Sequence, residues 1–224
     1  MRSVLIALPV LAALAACQPA PAKGPAKPAA TTPANPAADI PPGAYKIDPE
    51  HTTVLFRVDH IGMSKFTAQF RRFDATLTLD PKTPENSSLV AEIDTASLDT
   101  KTSPALAFDK MITGPDWLGA EAHPKITYRS RSIEKTGPDT ARIIGELTLK
   151  GVTKPVVLEA KYNGGYAPNG MDPSGSRIGF SATGSFKRSE FGISAGIPAP
   201  GSKMGVSDEV EVIIETEFTQ PKQG

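Results

Sequence analysis

Cysteine is nearly absent: Cys17 is the single one among 224 residues. One cysteine closes no intramolecular disulfide, and a folded part without cysteine has neither thiolate metal ligands nor a cysteine nucleophile, so stability must come from packing. Histidine is scarce as well, with His51, His60 and His123. His51 and His60 lie nine residues apart, roughly 30 Å along a straight strand at about 3.3 Å per residue, too far to share an ion. His123 precedes a proline in a loop, so no metal site is expected. His51 reads as a turn cap and His60 as a core or rim residue. Neither sign of charge prevails: 24 Lys and Arg face 24 Asp and Glu, for a net charge of zero. No long-range field therefore steers the chain toward nucleic acid or anionic lipid. A Gly-x-Ser-x-Gly elbow, a Walker loop and a His-Glu-x-x-His pair are all missing. Asp208 and Glu209 adjoin on a strand and face opposite ways. No catalytic residue and no cofactor are expected.

What is present begins at the N-terminus. Arg2 supplies a short positive region, Val4 to Ala13 an apolar one, and Leu14-Ala15-Ala16-Cys17 follows. The run is too short to span a bilayer. The pattern resembles a bacterial lipobox, which implies cleavage before Cys17 and lipidation of its thiol; an ordinary secretory signal with a chance cysteine is the alternative. The expectation is an envelope protein on the periplasmic face, lipid-anchored to a membrane. Gln18 is not the aspartate of an inner-membrane retention signal, which favours the outer membrane. Residues 1–16 are then a signal peptide. Residues 17–42, with eight prolines and eight alanines, read as a disordered linker able to reach roughly 80 Å at about 3.1 Å per residue. Residues 43–220 form the folded domain and 221–224 a disordered tail.

From Tyr45 onward the texture is period two. Val54, Phe56, Val58 and His60 share one face, and so do Phe73, Ala75, Leu77 and Leu79. The same alternation runs through 89–94, 126–129, 141–149, 156–162, 178–186 and 210–218. Eight one-sided strands joined by Gly, Pro, Asn and Asp turns predict an all-β fold, an eight-stranded antiparallel lipocalin-like barrel, with a β-sandwich as the alternative. Ser103 to Ala120 breaks the period and predicts one or two short helical segments, interrupted at Gly114-Pro115, that plug or cover a barrel end.

Several stretches, in order, resemble the YceI-like family: Tyr45-Lys46-Ile47-Asp48, Phe56-Arg57-Val58-Asp59-His60-Ile61-Gly62, Ser97-Leu98-Asp99-Thr100, and most densely Gly145 to Val156. Lys187-Arg188-Ser189-Glu190-Phe191-Gly192 and Val206-Ser207-Asp208-Glu209-Val210 complete the series. One departure stands out. Where the family carries an Arg-Asp pair and a His-Leu, this chain reads Ala107-Phe108-Asp109-Lys110-Met111. The resemblance implies a barrel that binds a polyisoprenoid or isoprenoid-quinone chain.

Such a ligand needs apolar walls and little else. The inward set offers Phe56, Val58, Phe73, Leu77, Ile143 and Leu147, then Leu158, Phe180, Phe186, Val212 and Ile214. These residues either line a cavity or fill a solid core. Ala75, Ala91, Ala141, Gly145, Ala160, Ala182 and Gly184 share the inward parity, and small residues leave volume open. Arg188 continues the inward parity of 178–186; buried, it must meet an acid such as Asp99, Asp109 or Asp208, or an anionic headgroup. His60 is the second headgroup or rim candidate. Residues 192–205 read as a long loop beside Arg188, with Ile193, Ile197 and Met204 exposed. The glutamates from Glu209 to Glu217 make an acidic outer stripe, a solvated face or a surface for a basic partner. The expected function is non-catalytic lipid carriage, storage or stress protection. The alternative is an envelope protein–protein interaction module with a solid barrel core.

Overall fold

The computed structural model describes residues 37, 39–103, 105–173 and 175–221. The expected signal peptide, Cys17 and the linker up to residue 36 lie outside the described residues. Among the described residues ten strands follow one another: β1 (Gly43–His60), β2 (Ser64–Phe70), β3 (Phe73–Leu79), β4 (Ser88–Asp94), β5 (Leu98–Asp99), β6 (Lys125–Lys135), β7 (Thr140–Leu149), β8 (Val152–Tyr166), β9 (Gly175–Lys187) and β10 (Val206–Pro221). The helix α1 (Ala105–Thr113) stands between β5 and β6.

These ten segments fill eight positions of a closed ring. Residues 43–46 of β1 pair with β3, whereas residues 54–60 pair with β2. β2 and β3 are thus two halves of one strand position, interrupted at Arg71-Arg72. β4 and β5 are similarly divided by the turn Thr95–Ser97, capped by the Asp94 side chain, which accepts from the Ala96 N–H. The order then runs β3–β4–β6–β7–β8–β9–β10, and β10 returns to β1 from Lys46↔Thr219 to His60↔Val206. Every pairing is antiparallel, and the β1–β10 ladder removes the free edges that a sandwich would keep. The eight-stranded barrel is the observed fold. The sequence reading missed 64–70, although Phe66, Ala68 and Phe70 alternate there with Lys65, Thr67 and Gln69. A two-residue strand such as β5 carries no period at all.

Local chemistry sets the register. Between β7 and β8 the turn is Lys150-Gly151, with φ of 50° and 77°. Two left-handed residues make the hairpin turn that matches strand twist. A Cβ on Gly151 would also stand 2.8 Å from the His123 ring. In β1 the ladder to β10 jumps between Asp48 and Thr53. His51 spans this bulge, its Nδ1 lying 2.9 Å from Asp48 Oδ2.

Two apolar clusters occupy the interior. At the end where β1 begins, Tyr45 and Ile178 are fully buried, packed with Leu77, Leu79 and Phe218. Ala37 and Ile40 join this cluster. The Tyr45 hydroxyl donates to the Pro41 carbonyl at 2.7 Å, and Gln220 Nε2 donates to Pro42 O at 3.2 Å. Residues 37 and 39–42, expected to be linker, are therefore packed onto the barrel, because apolar Ile40 has a seat there. Pro221, expected in the tail, still pairs with Gly175 as the last residue of β10. At the other end Phe70, Leu98, Leu149, Phe191 and Ile193 are buried. Phe66 of β2 and Phe108 of α1 meet there edge to face at 5.7 Å. α1 stops before Gly114-Pro115, as the composition predicts, and its end is tied down by Leu118 N–H to Ile112 O at 3.0 Å.

Candidate ligand cavity

Between the two clusters the barrel encloses a cavity of about 690 Å³. All eleven apolar residues expected to form its walls line it, from Phe56 and Val58 on β1 to Val212 and Ile214 on β10. Phe108, Met111, Ile112, Trp117 and Leu118, from α1 and the turns after it, also line it. So does Phe66, on the strand missed from sequence.

The small inward residues divide into two kinds. Ala75, Ala91, Ala141, Ala160 and Ala182 line the cavity. Three of them stand in register across β7, β8 and β9, as Ala141↔Ala160↔Ala182, and widen the lumen there. Gly145 and Gly184, expected to leave volume open, do not. A Cβ on Gly145 would fall 2.5 Å from the Tyr128 ring, and one on Gly184 would fall 2.8 Å from Leu158. These glycines admit a neighbouring side chain instead of a guest. Tyr128 lies folded over Gly145 with its hydroxyl 2.9 Å from Ile143 O and 3.1 Å from Val156 O. Burial pushes its phenol pKa well above the ordinary value.

Arg188 is 4 % exposed and borders the cavity, as the parity predicts. Its partners differ from those expected. Nε donates to Ser207 O at 2.9 Å, Nη1 to Ile193 O at 3.1 Å and Ala195 O at 2.8 Å, and Nη2 to Val206 O at 2.9 Å. The guanidinium also stacks over Trp117, 5.1 Å from the ring centroid. Among the described residues no carboxylate forms an ion pair with it. Asp99 takes Gln69 and Arg71, Asp109 accepts from the Thr100 N–H at 2.9 Å, and Asp208 accepts from the Ser189 N–H at 2.8 Å. Burial lowers the pKa of Arg188 and nearby Asp208 opposes that. Four carbonyl dipoles and an aromatic face stand in for the missing anion. The planar fork fixes the loop 192–205 onto the barrel, which is why Ile193 is buried rather than exposed. The departure from the family pattern at 107–111 leaves one member in use, since Asp109 ties α1 to the end of β5 through Thr100.

His60 is exposed at the end of β1 and belongs to the cavity rim. Exposed Ser64, Met111 and Asp74 line the cavity as well. His123 sits behind the Lys150-Gly151 turn. On the outer wall Asp48, His51 and Glu217 come together, a grouping not anticipated from spacing because β10 brings Glu217 to β1. Arg177 already occupies it: Nη1 donates to Asp48 at 2.6 Å and to Glu217. Burial disfavours the Asp48 carboxylate, but hydrogen bonds from Arg177 and His51 outweigh it and hold its pKa below the usual range.

Comparison with known proteins agrees with this architecture. The model of the YceI-like domain matches residues 45–218. Protein YceI of Escherichia coli O157:H7 is 41 % identical over 182 residues, covering 80 % of this chain and 87 % of that protein. Among solved structures, the Campylobacter jejuni YCEI protein superposes with a TM-score of 0.61 at 27 % identity, covering 74 % of this chain and 90 % of its own. A polyisoprenoid binding domain from Saccharophagus degradans, implicated in plant cell wall breakdown, gives a TM-score of 0.58 at 14 % identity, covering 79 % of this chain and 98 % of that one.

Proposed function

This chain belongs to the YceI-like family, and from that premise we propose that it is a non-catalytic lipid-binding lipoprotein of the bacterial periplasm. It holds a polyisoprenoid or isoprenoid-quinone chain in the barrel, for carriage, storage or stress protection. One observation carries the reading: a cavity of about 690 Å³ walled by apolar side chains. An interaction module with a solid core has no use for such a space. The Saccharophagus degradans domain, which shares the fold, is a polyisoprenoid binder.

The size of the cavity bounds the guest. If each chain carbon needs about the ~30 Å³ share of a water molecule, the space takes roughly 20 carbons, or four to five isoprene units. A longer chain leaves its remainder at the rim. Burial from water yields about 0.8 kcal/mol per CH₂, but the competing bilayer is equally apolar. Net transfer is then small and reversible, which suits a carrier. A lipid on Cys17 keeps the barrel beside its source, and Gln18 favours the outer membrane. Arg188 is engaged by carbonyls, so the headgroup is left to the rim at His60.

Native mass spectrometry of freshly purified protein, followed by extraction from isoprenoid-loaded vesicles, tests the proposal. A co-purifying isoprenoid is the expected result; protein that carries none and extracts none overturns it. Radiolabelled palmitate incorporation that disappears in Cys17→Ser tests the anchor separately.

A further inference from the structure

Midway along β1 the ring is not closed by a ladder. β1 pairs with β3 from Gly43↔Leu79 to Lys46↔Thr76, and with β2 from Val54↔Phe70 to His60↔Ser64. Between those stretches, among the described residues, none from Ile47 to Thr53 pairs with β2 or β3, and none from Arg71 to Ala75 pairs with β1. From Phe70 to Thr76 the lapse runs roughly 20 Å at about 3.3 Å per residue. Each edge is tied away from the other. Thr52 Oγ1 lies 3.0 Å from Thr216 Oγ1 on β10, and Arg177 of β9 holds Asp48. Opposite them, the Arg71 N–H donates to Ser97 O at 3.0 Å, and the Arg72 N–H donates to Ser97 Oγ at 3.0 Å. Across the seam Lys46 Nζ and Asp74 Oδ2 form an ion pair at 3.7 Å, too exposed to hold the strands together.

The cavity reaches this seam. Inward and outward residues alternate along each strand, and the cavity is bordered by the inward ones. Among the described residues, Leu55 and Asp74 are the two outward-facing strand residues that also border it. Leu55 adjoins the last β1–β2 pair, and Asp74 stands two residues from the last β1–β3 pair. The interior therefore extends into the wall where the ladder lapses. Its edges are apolar, with Ile47 and Val54 on one side and Phe73 and Ala75 on the other. Outside, Leu55 is paired with Ile213 of β10, which sets two apolar residues side by side on the outward face.

Strands in a ladder stand about 4.8 Å apart and are bridged by hydrogen bonds. A guest can cross a barrel wall where that bridging stops. The charges beside the seam select the part of the guest. Lys46, Arg71 and Arg72 each meet a carboxylate, from Asp74, Asp99 and Asp94 in turn. Matched charges and apolar edges suit an uncharged hydrocarbon tail rather than an anionic head. We infer that this seam is a lateral mouth of the cavity, and that the remainder of an isoprenoid too long for the cavity leaves through it, tail first, while the headgroup stays by His60. The inference rests on the cavity reading and adds the path of the chain.

Full-length Cys17→Ser protein is free of cysteine, so a single environment-sensitive bimane label reports one site. Asp74→Cys places it at the seam and Ser64→Cys beside the rim at His60. Lys161→Cys, exposed on β8 across the ring, is the reference. Two probes are offered as cyclodextrin complexes: farnesol, with fifteen carbons, which fits the cavity, and solanesol, with forty-five, which does not. At 74 the expected result is a blue shift with solanesol and none with farnesol. At 64 both alcohols should shift the label alike, and at 161 neither should. Solanesol that moves the label at 64 more than farnesol does and leaves the label at 74 unmoved overturns the inference. So does a response at 74 that is equal for the two alcohols, or matched at 161. In each of these cases farnesol bound by the protein leaves the cavity reading standing. Protein that binds neither alcohol overturns both.

Discussion

Filling the cavity from its own walls separates a hollow barrel from a packed one. Ala91 and Ala160 point inward yet remain partly accessible, and both line the cavity. Changing both to leucine adds six carbons, about 180 Å³ at ~30 Å³ each. The cavity of about 690 Å³ then falls to roughly 510 Å³, room for ~17 carbons. Farnesol, with fifteen carbons, still fits. Geranylgeraniol, with twenty, leaves about three in water, a loss of ~2.4 kcal/mol at ~0.8 kcal/mol per CH₂, or roughly 50-fold in Kd. Competition against a fluorescent fatty chain in detergent-free buffer measures both alcohols on both proteins. Stability gives an independent readout, because leucine in open space raises the unfolding midpoint, whereas overpacking a full core costs about 1–3 kcal/mol per site. Equal weakening of both alcohols, or a large loss of stability, would refute the reasoning.

Arg188→Met withdraws the donors from four carbonyls; with about 1–3 kcal/mol at stake for each one left buried and unsatisfied, the variant should lose about 3 kcal/mol or more in urea unfolding and exchange amide hydrogens faster over 192–206. Arg188→Lys should rescue little, since an ammonium cannot span that fork of acceptors. Gly145→Ala places a methyl group against the Tyr128 ring and should cost about 1–3 kcal/mol, while Tyr128→Phe should cost about 1 kcal/mol for its hydroxyl; thermal melts of the two variants check the order. Asp48 and Asp99 have folded pKa values below the ordinary 3.8. Their contribution is therefore present in full above about pH 4 and lost as pH falls through the lower folded values. Urea unfolding from neutral pH down to pH 3 should show Asp48→Asn and Asp99→Asn flattening the acid limb, and an unchanged limb would exclude these carboxylates from acid sensitivity.

Much of the barrel was legible because a strand's two faces are a local property. Phe56 and Val58, or Val212 and Ile214, declare their side by spacing alone, and closure of the ring keeps that side inward. Phe66 was missed on a short strand whose partner, β1, gives it only seven of its 18 residues. The two inward glycines were misjudged for a related reason. Sequence shows a missing side chain at 145 but not the Tyr128 ring that the β6–β7 register lays over it. Arg188 was placed correctly and partnered wrongly, because its acceptors are carbonyls of a loop that the guanidinium itself organises. Ile193 followed that loop inward.

By itself, then, the order of residues determined alternation, turn chemistry and the number of strand positions, all set by interactions among near neighbours. Whether the middle of the ring stays open was decided by tertiary structure. The volume inside depends on which residues stand at the same height on different strands, such as Ala141, Ala160 and Ala182, and on how far aromatic rings reach across.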